Sequence, residues 1–379
     1  MPWRKVSIVG QREEFVQLTS RLGNVRLACR RAELSPTTAY KWLARYRENG
    51  QEGLKDRSRR PLRTPHRSGD EVERAIVELR EEHPAWGARK IRHRLLALRV
   101  GGVPATSTVH AVLRRRGLID PTQASQHRPW QRFEHEAPNR LWQMDFKGHF
   151  AVDRHRCHPL TILDDHSRFA LGLQACPDET RESVQPRLTE LFRRYGLPDR
   201  MSMDNGPPWG SPTEFTKLAI WLIRIGVRVS HSRPYHPQTQ GKDERFHRTL
   251  QREVLSRYTF HDLDQVQHRF DVWRDTYNLE RPHESLQMQV PASRYSPSLR
   301  SLPESLPPIE YDCGDIVRKV QNPGEIWLKG KTYRVGRTFI GQPVALRPSG
   351  QDGVLDVFFA NQKISQIHLN PLPQPLPQS

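Results

Sequence analysis

Three carboxylates in the middle of the chain stand in settings suited to holding a divalent cation. They are Asp145 in Leu141-Trp142-Gln143-Met144-Asp145-Phe146, Asp204 in Met203-Asp204-Asn205-Gly206, and Glu244 in Gln240-Gly241-Lys242-Asp243-Glu244-Arg245-Phe246. Hard oxygen ligands of this kind take Mg²⁺ or its relatives, and ions so held serve displacement at phosphorus. From Trp142 to Phe146 apolar and polar residues alternate, so Asp145 projects from the strand face opposite Trp142, Met144 and Phe146. Asp204 stands where a short strand from Arg200 to Met203 runs into Asn-Gly, a turn signal. Glu244 lies on a helix starting near Gln238. Phe246, Leu250 and Val254 form that helix's buried stripe, and Glu244 shares the polar face with Arg248 and Gln251. Asp243 points about 100° away from Glu244 around the helix and is the weaker candidate. Asp164-Asp165 reads as turn-forming, with assistance to the site as its other reading.

The composition says what these carboxylates would act on. Lys and Arg number 60 against 42 Asp and Glu, a net charge of +18 over 379 residues. A chain this basic is built for a polyanion, nucleic acid being the commonest, and it is long enough for two or more domains. No apolar run approaches a membrane span, and Met1-Pro2-Trp3-Arg4-Lys5 carries no apolar signal region. Cys29, Cys157, Cys176 and Cys313 are scattered without a C-x-x-C pair, which argues against a zinc site or disulfide framework and for reduced cysteines.

Helical units precede the acidic stretch. Helices are expected over 13–22, 25–32 and from Ser35-Pro36 onward, with Ser35 as N-cap and Pro36 in the first turn. The third turns Ala39, Trp42 or Leu43, and Tyr46 inward, and leaves Thr37, Thr38, Lys41 and Arg45 outward, as a helix-turn-helix reading the major groove requires. The domain spans 1–56. A basic linker over 57–68 carries Arg57, Arg59, Arg60 and Arg63, free to lie along phosphates or simply to be solvated. A second helix-turn-helix-like domain over 69–119 has helices at 71–82, 87–98 and 106–116. Its Arg114 and Arg115 close the last helix, answering its dipole or touching phosphate. A polar linker fills 120–137.

The acidic stretch reads as an α/β core over 138–297 with a helical extension. Strands are expected at 141–150, 156–163, 168–175, 200–204 and 226–230, with helices at 180–195 and 213–224. Three antiparallel strands followed by alternating helices and strands is the element order of a ribonuclease-H-like fold. A linker (298–310), a small all-β barrel (311–370) and a Pro-Gln tail (371–379), read as disordered, complete the chain. The fold class is thus multidomain: all-α helix-turn-helix units, an α/β core and a small β-barrel.

Four blocks in the order expected of one family carry a resemblance. They are Leu141 to Asp145; Leu163-Asp164-Asp165-His166-Ser167-Arg168; Asp204-Asn205-Gly206; and Pro234 to Glu244. Tyr277-Asn278 and Arg281-Pro282-His283 follow. The stretch 138–295 resembles the integrase core shared by retroviral integrases and DDE-type insertion-sequence transposases. The spacing from Asp204 to Glu244 is somewhat longer than in retroviral integrases, with the excess near Pro207 to Thr213. Nothing here could build the retroviral His-His-Cys-Cys zinc module, so the bacterial branch fits better. The resemblance implies that Asp145, Asp204 and Glu244 are catalytic and hold two Mg²⁺ ions, with Mn²⁺ as a substitute. Asp145 would bridge both ions, and Asp204 and Glu244 would hold one each. It implies cleavage at transposon ends, attack of the freed 3′-hydroxyl on target DNA, at least a dimer on double-stranded DNA, and a bacterial, cytoplasmic, nucleoid-associated protein. Lys242, Arg245 and Arg248 flank Glu244 and are candidates for phosphate contact, with a solvated helix face as their other reading. His231, Tyr235 and His236 precede that helix. The alternatives from other classes are a ribonuclease-H-type nuclease without strand transfer and a DNA-binding regulator or inactive relic.

Overall fold

A computed structural model describes residues 7–57, 68–119, 134–231 and 241–369. The chain divides into two compact units, Met1–Arg67 and Ser68–Ser379. The first holds α1 (Ile8–Leu22), α2 (Val25–Arg31) and α3 (Pro36–Asn49). Gly23 ends α1 in the left-handed conformation, and the side chain of Asn24 accepts from Leu27 N–H to start α2. Ser35 accepts from Thr38 N–H, with Pro36 in the first turn of α3. Phe15, Val16, Ala28, Cys29, Ala39, Trp42, Leu43 and Leu54 form the core. Tyr46, expected inside, is exposed. The reason is the 3₁₀ turn Gly50–Leu54, which folds back along α3 and inserts Leu54.

The second unit opens with α4 (Asp70–Glu82), α5 (Ala88–Ala97) and α6 (Thr106–Arg115), packed around Ile76, Trp86, Ile91, Leu95, Val109 and Leu113. Arg80 ties the bundle by donating to the carbonyls of Trp86 and Leu118 at 2.6 and 2.8 Å.

The central sheet contains β1 (Trp142–Phe146), β2 (Phe150–Val152), β3 (His155–Asp164), β4 (Ala170–Cys176), β5 (Arg200–Met203) and β6 (Arg228–His231). β3 runs antiparallel to β1, β2 and β4. β5 is parallel to β1 and β6 to β5, because α7 (Arg181–Tyr195) and α8 (Lys217–Arg224) carry the chain back over the sheet. α9 (Gly241–Leu250) and α10 (Leu263–Asp275) cover the other face. The alternation of strand residues sorts them between the layers. Leu160, Ile162 and Leu171 meet α7 and α8, while Cys157, Leu163, Ala170 and Leu173 meet Phe246, Leu250, Phe270 and Trp273. The matched mixed sheet with helices on both faces keeps the strand ends rigid at the end of β1 and β5.

The C-terminal part comprises β7 (Ile316–Lys319), β8 (Glu325–Leu328), β9 (Lys331–Arg334), β10 (Pro343–Pro348), β11 (Val354–Phe359) and β12 (Gln362–His368). It is not the closed barrel expected. β12-β11-β10-β7 is an open antiparallel sheet, and β8-β9 is a separate hairpin. The physical reason lies in where its apolar face goes. Val344, Leu346, Val357, Phe359, Ile364 and Ile367 share one continuous hydrophobic cluster with α7, α8 and the central sheet, so the sheet does not have to close on itself. The 298–310 segment, expected as a linker, is pinned to the core. Arg300 donates to the carbonyls of Pro198 and Gly226 at 2.7 and 2.6 Å, and its own carbonyl accepts from Leu197 N–H. Gln362 bonds both backbone groups of Val229, accepting from its N–H at 2.7 Å and donating to its carbonyl at 2.9 Å.

Candidate active site

Asp145 on β1 and Asp204 just past β5 lie on neighbouring parallel strands, whose register pairs Trp142 with Met201 and Gln143 with Ser202. Burial, and then the charge of Asp204, push the Asp145 carboxyl up to about 7. Asp204 is half-buried at the start of a tight loop. Gly206 N–H donates to Gly210 O, and Gly210 N–H to Gly206 O, at 2.7 and 2.8 Å. Gly210 has φ +97, and a Cβ there would come within 2.4 Å of Glu214 O. Trp209 of that loop stacks on Phe146 of β1 at 5.3 Å, which ties the Asp204 loop to the Asp145 strand. His231 lies at the end of β6 with Nε2 3.3 Å from Trp209 O. Tyr235 and His236 lie outside the described residues.

α9 packs against β1 and brings its own acidic pair. Glu244 is exposed, and Asp243 is the member that turns inward, only 3% exposed and level with Phe246 and Leu250. Burial, and then Asp145, Asp165 and Asp204, raise the Asp243 carboxyl well above the ordinary range. Its Oδ1 has no hydrogen-bond partner among the described residues. The sequence carried the signal for this. Asp243 precedes Phe246 by three positions and Leu250 by seven, so it continues the apolar stripe toward the N-terminus. Among the described residues no three His, Cys, Asp or Glu side chains stand close enough together to hold one ion as a set.

Two further aspartates fasten the frame. Asp164 accepts from Ser167 N–H and Oγ–H at 2.8 and 2.7 Å, and from Asn139 N–H at 2.7 Å. Thus it holds the turn as expected, and also anchors the chain leading into β1. Asp165 is 2% exposed. It accepts from Gln143 Nε2 at 2.9 Å and His135 N–H at 3.0 Å, and forms an ion pair with Lys242. Lys242 also donates to Asp165 O at 2.9 Å. This expected phosphate contact is therefore half-buried and engaged with Asp165, and it fixes the first turn of α9 to the turn after β3. His247, one turn along from Asp243, meets Thr161 and Asp145 and was not singled out from sequence.

The remaining basic candidates sort by exposure. Arg245 and Arg248 are exposed on α9. Thr37 and Lys41 are exposed on α3, while Thr38 bonds the Ser35 hydroxyl at 2.8 Å and Arg45 lies over the Trp42 ring at 4.9 Å. Arg57 is exposed; Arg59, Arg60 and Arg63 lie outside the described residues. Arg114 is exposed, whereas Arg115 donates to Glu73, itself 1% exposed. A cavity of about 430 Å³ is lined by Arg89, Lys90, Thr106, Ser107, His110 and Glu284. The starts of α5 and α6, at Gly87 and Ala105, have no side-chain cap and border it, leaving N–H groups suited to an anion.

Known protein families match most of this chain in pieces. Residues 11–61 match a helix-turn-helix domain and residues 38–113 a homeodomain-like domain. Residues 135–237 and 225–291 match the integrase core domain, and 315–371 the IS481 family transposase C-terminal domain. An insertion element IS407 uncharacterized 31.7 kDa protein of Burkholderia multivorans is 25% identical over 236 residues, covering 60% of this chain and 82% of that protein. An insertion element IS476 uncharacterized 39.2 kDa protein of Xanthomonas euvesicatoria is 27% identical over 166 residues, or 43% of this chain and 46% of that one. Among solved structures, a chain of the simian T-cell lymphotropic virus intasome in complex with PP2A regulatory subunit B56 gamma aligns with a TM-score of 0.40 at 15% identity. The alignment covers 77% of this chain and 95% of that one.

Proposed function

We propose that this insertion-sequence transposase with an integrase core binds the ends of its element as double-stranded DNA, cuts them, and joins the freed 3′-hydroxyls to target DNA. The observation that carries the reading is the Asp145–Asp204 pair. It comprises two carboxyls on neighbouring strands, the first lifted to about 7 by burial and by the charge of the second. A divalent cation relieves that repulsion, and the oxygen donors and the orphaned Asp243 Oδ1 suit Mg²⁺, with Mn²⁺ as a substitute. Mg²⁺ is usually held by one or two carboxylates with several waters retained, and the described residues offer it carboxylates without a three-donor set. In this reading Asp145, Asp204 and Glu244 are the residues that would hold the ions. When bound, the ions supply Lewis-acid stabilisation to the attacking and leaving oxygens.

In cleavage, a water oxygen bonds to phosphorus at the element end as the P–O3′ bond breaks, and the 3′ oxygen leaves protonated. In joining, that 3′ oxygen bonds to a target phosphorus as a target P–O3′ bond breaks. One phosphodiester replaces another, so joining uses neither an energy-rich cofactor nor a covalent protein–DNA bond. The chain orients the two DNAs. α3 enters a major groove, the basic cleft around Arg89 and Lys90 takes backbone phosphate, and Arg245 and Arg248 flank the reacting end. Pairing two ends requires at least a dimer on DNA, working at the bacterial nucleoid in the cytoplasm.

The experiment is a strand-transfer assay on labelled DNA carrying the element's terminal repeats, with Mg²⁺ or Mn²⁺, for wild type and Glu244→Gln. Joined products that vanish in the variant while DNA binding persists support the reading. Binding with no joining in either metal points to a regulator or relic, and cleavage without joining to a nuclease.

A further inference from the structure

Beside Asp145 stand two side chains to which the proposed function gives no task. Thr161 is fully buried and sits opposite Asp145 in the β1–β3 register. Its hydroxyl donates its one proton to the Asp145 carbonyl at 3.0 Å. Toward His247 Nε2, 2.8 Å away, that hydroxyl can therefore only accept. The imidazole is thus held as the Nε2–H tautomer, and Nδ1 keeps a free lone pair. Nδ1 stands 3.9 Å from Asp145 Oδ2.

Two acceptors facing each other at this distance repel unless a proton or a cation lies between them. A histidine that ligates a metal has the same wiring: one ring N–H is donated to a fixed acceptor, and the other nitrogen is free and aimed at the ion. Phe246 and Leu250, buried on either side along α9, keep the helix, and hence the ring, from turning away.

We propose that His247 is a nitrogen donor, through Nδ1, to the divalent cation held at Asp145, with Thr161 fixing the ring's tautomer and direction. The proposal rests on the cation site of the proposed function and adds a ligand of a different element to it. Imidazole suits the later first-row metals better than it suits Mg²⁺, so the site should favour Mn²⁺ over Mg²⁺ more than carboxylates alone would.

The test is pulsed electron paramagnetic resonance on the untagged full chain loaded with MnCl₂, for wild type, His247→Asn and Asp145→Asn. The expected result is ¹⁴N modulation from one imidazole on the bound Mn²⁺ of wild type. It should be absent in His247→Asn, which still binds Mn²⁺ but about tenfold more weakly, with circular dichroism unchanged. Wild type that binds Mn²⁺ in an Asp145-dependent manner with no nitrogen coupling overturns the His247 assignment and leaves the cation site standing. Coupling that survives in His247→Asn overturns it equally. Mn²⁺ binding indifferent to Asp145→Asn overturns both the assignment and the cation site beneath it.

Discussion

Replacing Asp145 by Asn should stabilise the metal-free protein at neutral and alkaline pH. The carboxyl's pKa is about 7 in the fold against an ordinary 3.8, raised first by burial and then by Asp204. Between those values the unfolded chain has lost a proton that the folded chain keeps, so stability falls as pH rises through the window from about 4 to 7. The Asp145 side chain is only 23% exposed, so solvent screening removes little of the effect. Roughly three pKa units at about 1.36 kcal/mol each amount to about 4 kcal/mol of stability missing at pH 8. Asn has the same shape without the charge and recovers most of it. In EDTA, calorimetric scans of the two proteins should coincide near pH 4 and separate by roughly 5–10 °C at pH 8, Asn above Asp. Adding Mg²⁺ should raise the wild type toward the variant and leave the variant unmoved. A variant that melts at or below wild type at pH 8, or a gap that does not change with pH, would refute the idea that Asp145 is held in a strained, cation-seeking state.

Other consequences follow from groups away from the site. Glu253 bonds Arg281 Nε at 3.0 Å and Trp273 Nε1 at 2.9 Å, all three nearly buried, so Glu253→Ala should cost about 3–5 kcal/mol in urea unfolding by stranding the guanidinium. Gly196 has φ +76, and a Cβ there would come within 2.5 Å of Ser298 O. Gly196→Ala should therefore loosen the 298–310 segment, read as earlier proteolysis there and a loss of about 2 kcal/mol or more. Arg89→Ser should lower the slope of log binding against log salt on duplex DNA by about one, while leaving the melting temperature unchanged. An unchanged slope would remove the Arg89 cleft from the DNA path.

How far the sequence could be read depended on whether local chemistry or distant packing decided each feature. Ser35-Pro36 declares the start of α3 because capping is local, and the alternation Trp142 to Phe146 declares β1 because a pleat has period two. Tyr46 and the C-terminal sheet were misjudged for a shared reason. What fills or closes those surfaces comes from elsewhere, Leu54 in one case and the α7–α8 cluster in the other. β12 lacks strict alternation, since its apolar Ile364 and Ile367 are separated by Ser and Gln. The acidic pair on α9 is the instructive case. A carboxylate in an apolar stripe reads as an interruption, since burying a charge is costly. Asp243 becomes intelligible only once Asp145 and Asp204 are known to converge on its side of the helix. His247 needed the β3 partner Thr161, eighty-six positions away, before its lone pair could be assigned a direction.

The side chain of Gln362 covers part of an open sheet edge. β6 is the last strand of the central sheet, and an outermost strand offers open peptide groups to any extended chain that drifts past. A carboxamide has the same donor and acceptor as one peptide unit, and Gln362 spends both on Val229. It thus stands in for one rung of a missing neighbour. A protein truncated before β12 would bare that rung together with the apolar face that β10 and β11 cover, and would be expected to self-associate through β6. The C-terminal sheet is thereby a guard on the central sheet's flank, and deleting it would confound any attempt to study the core alone.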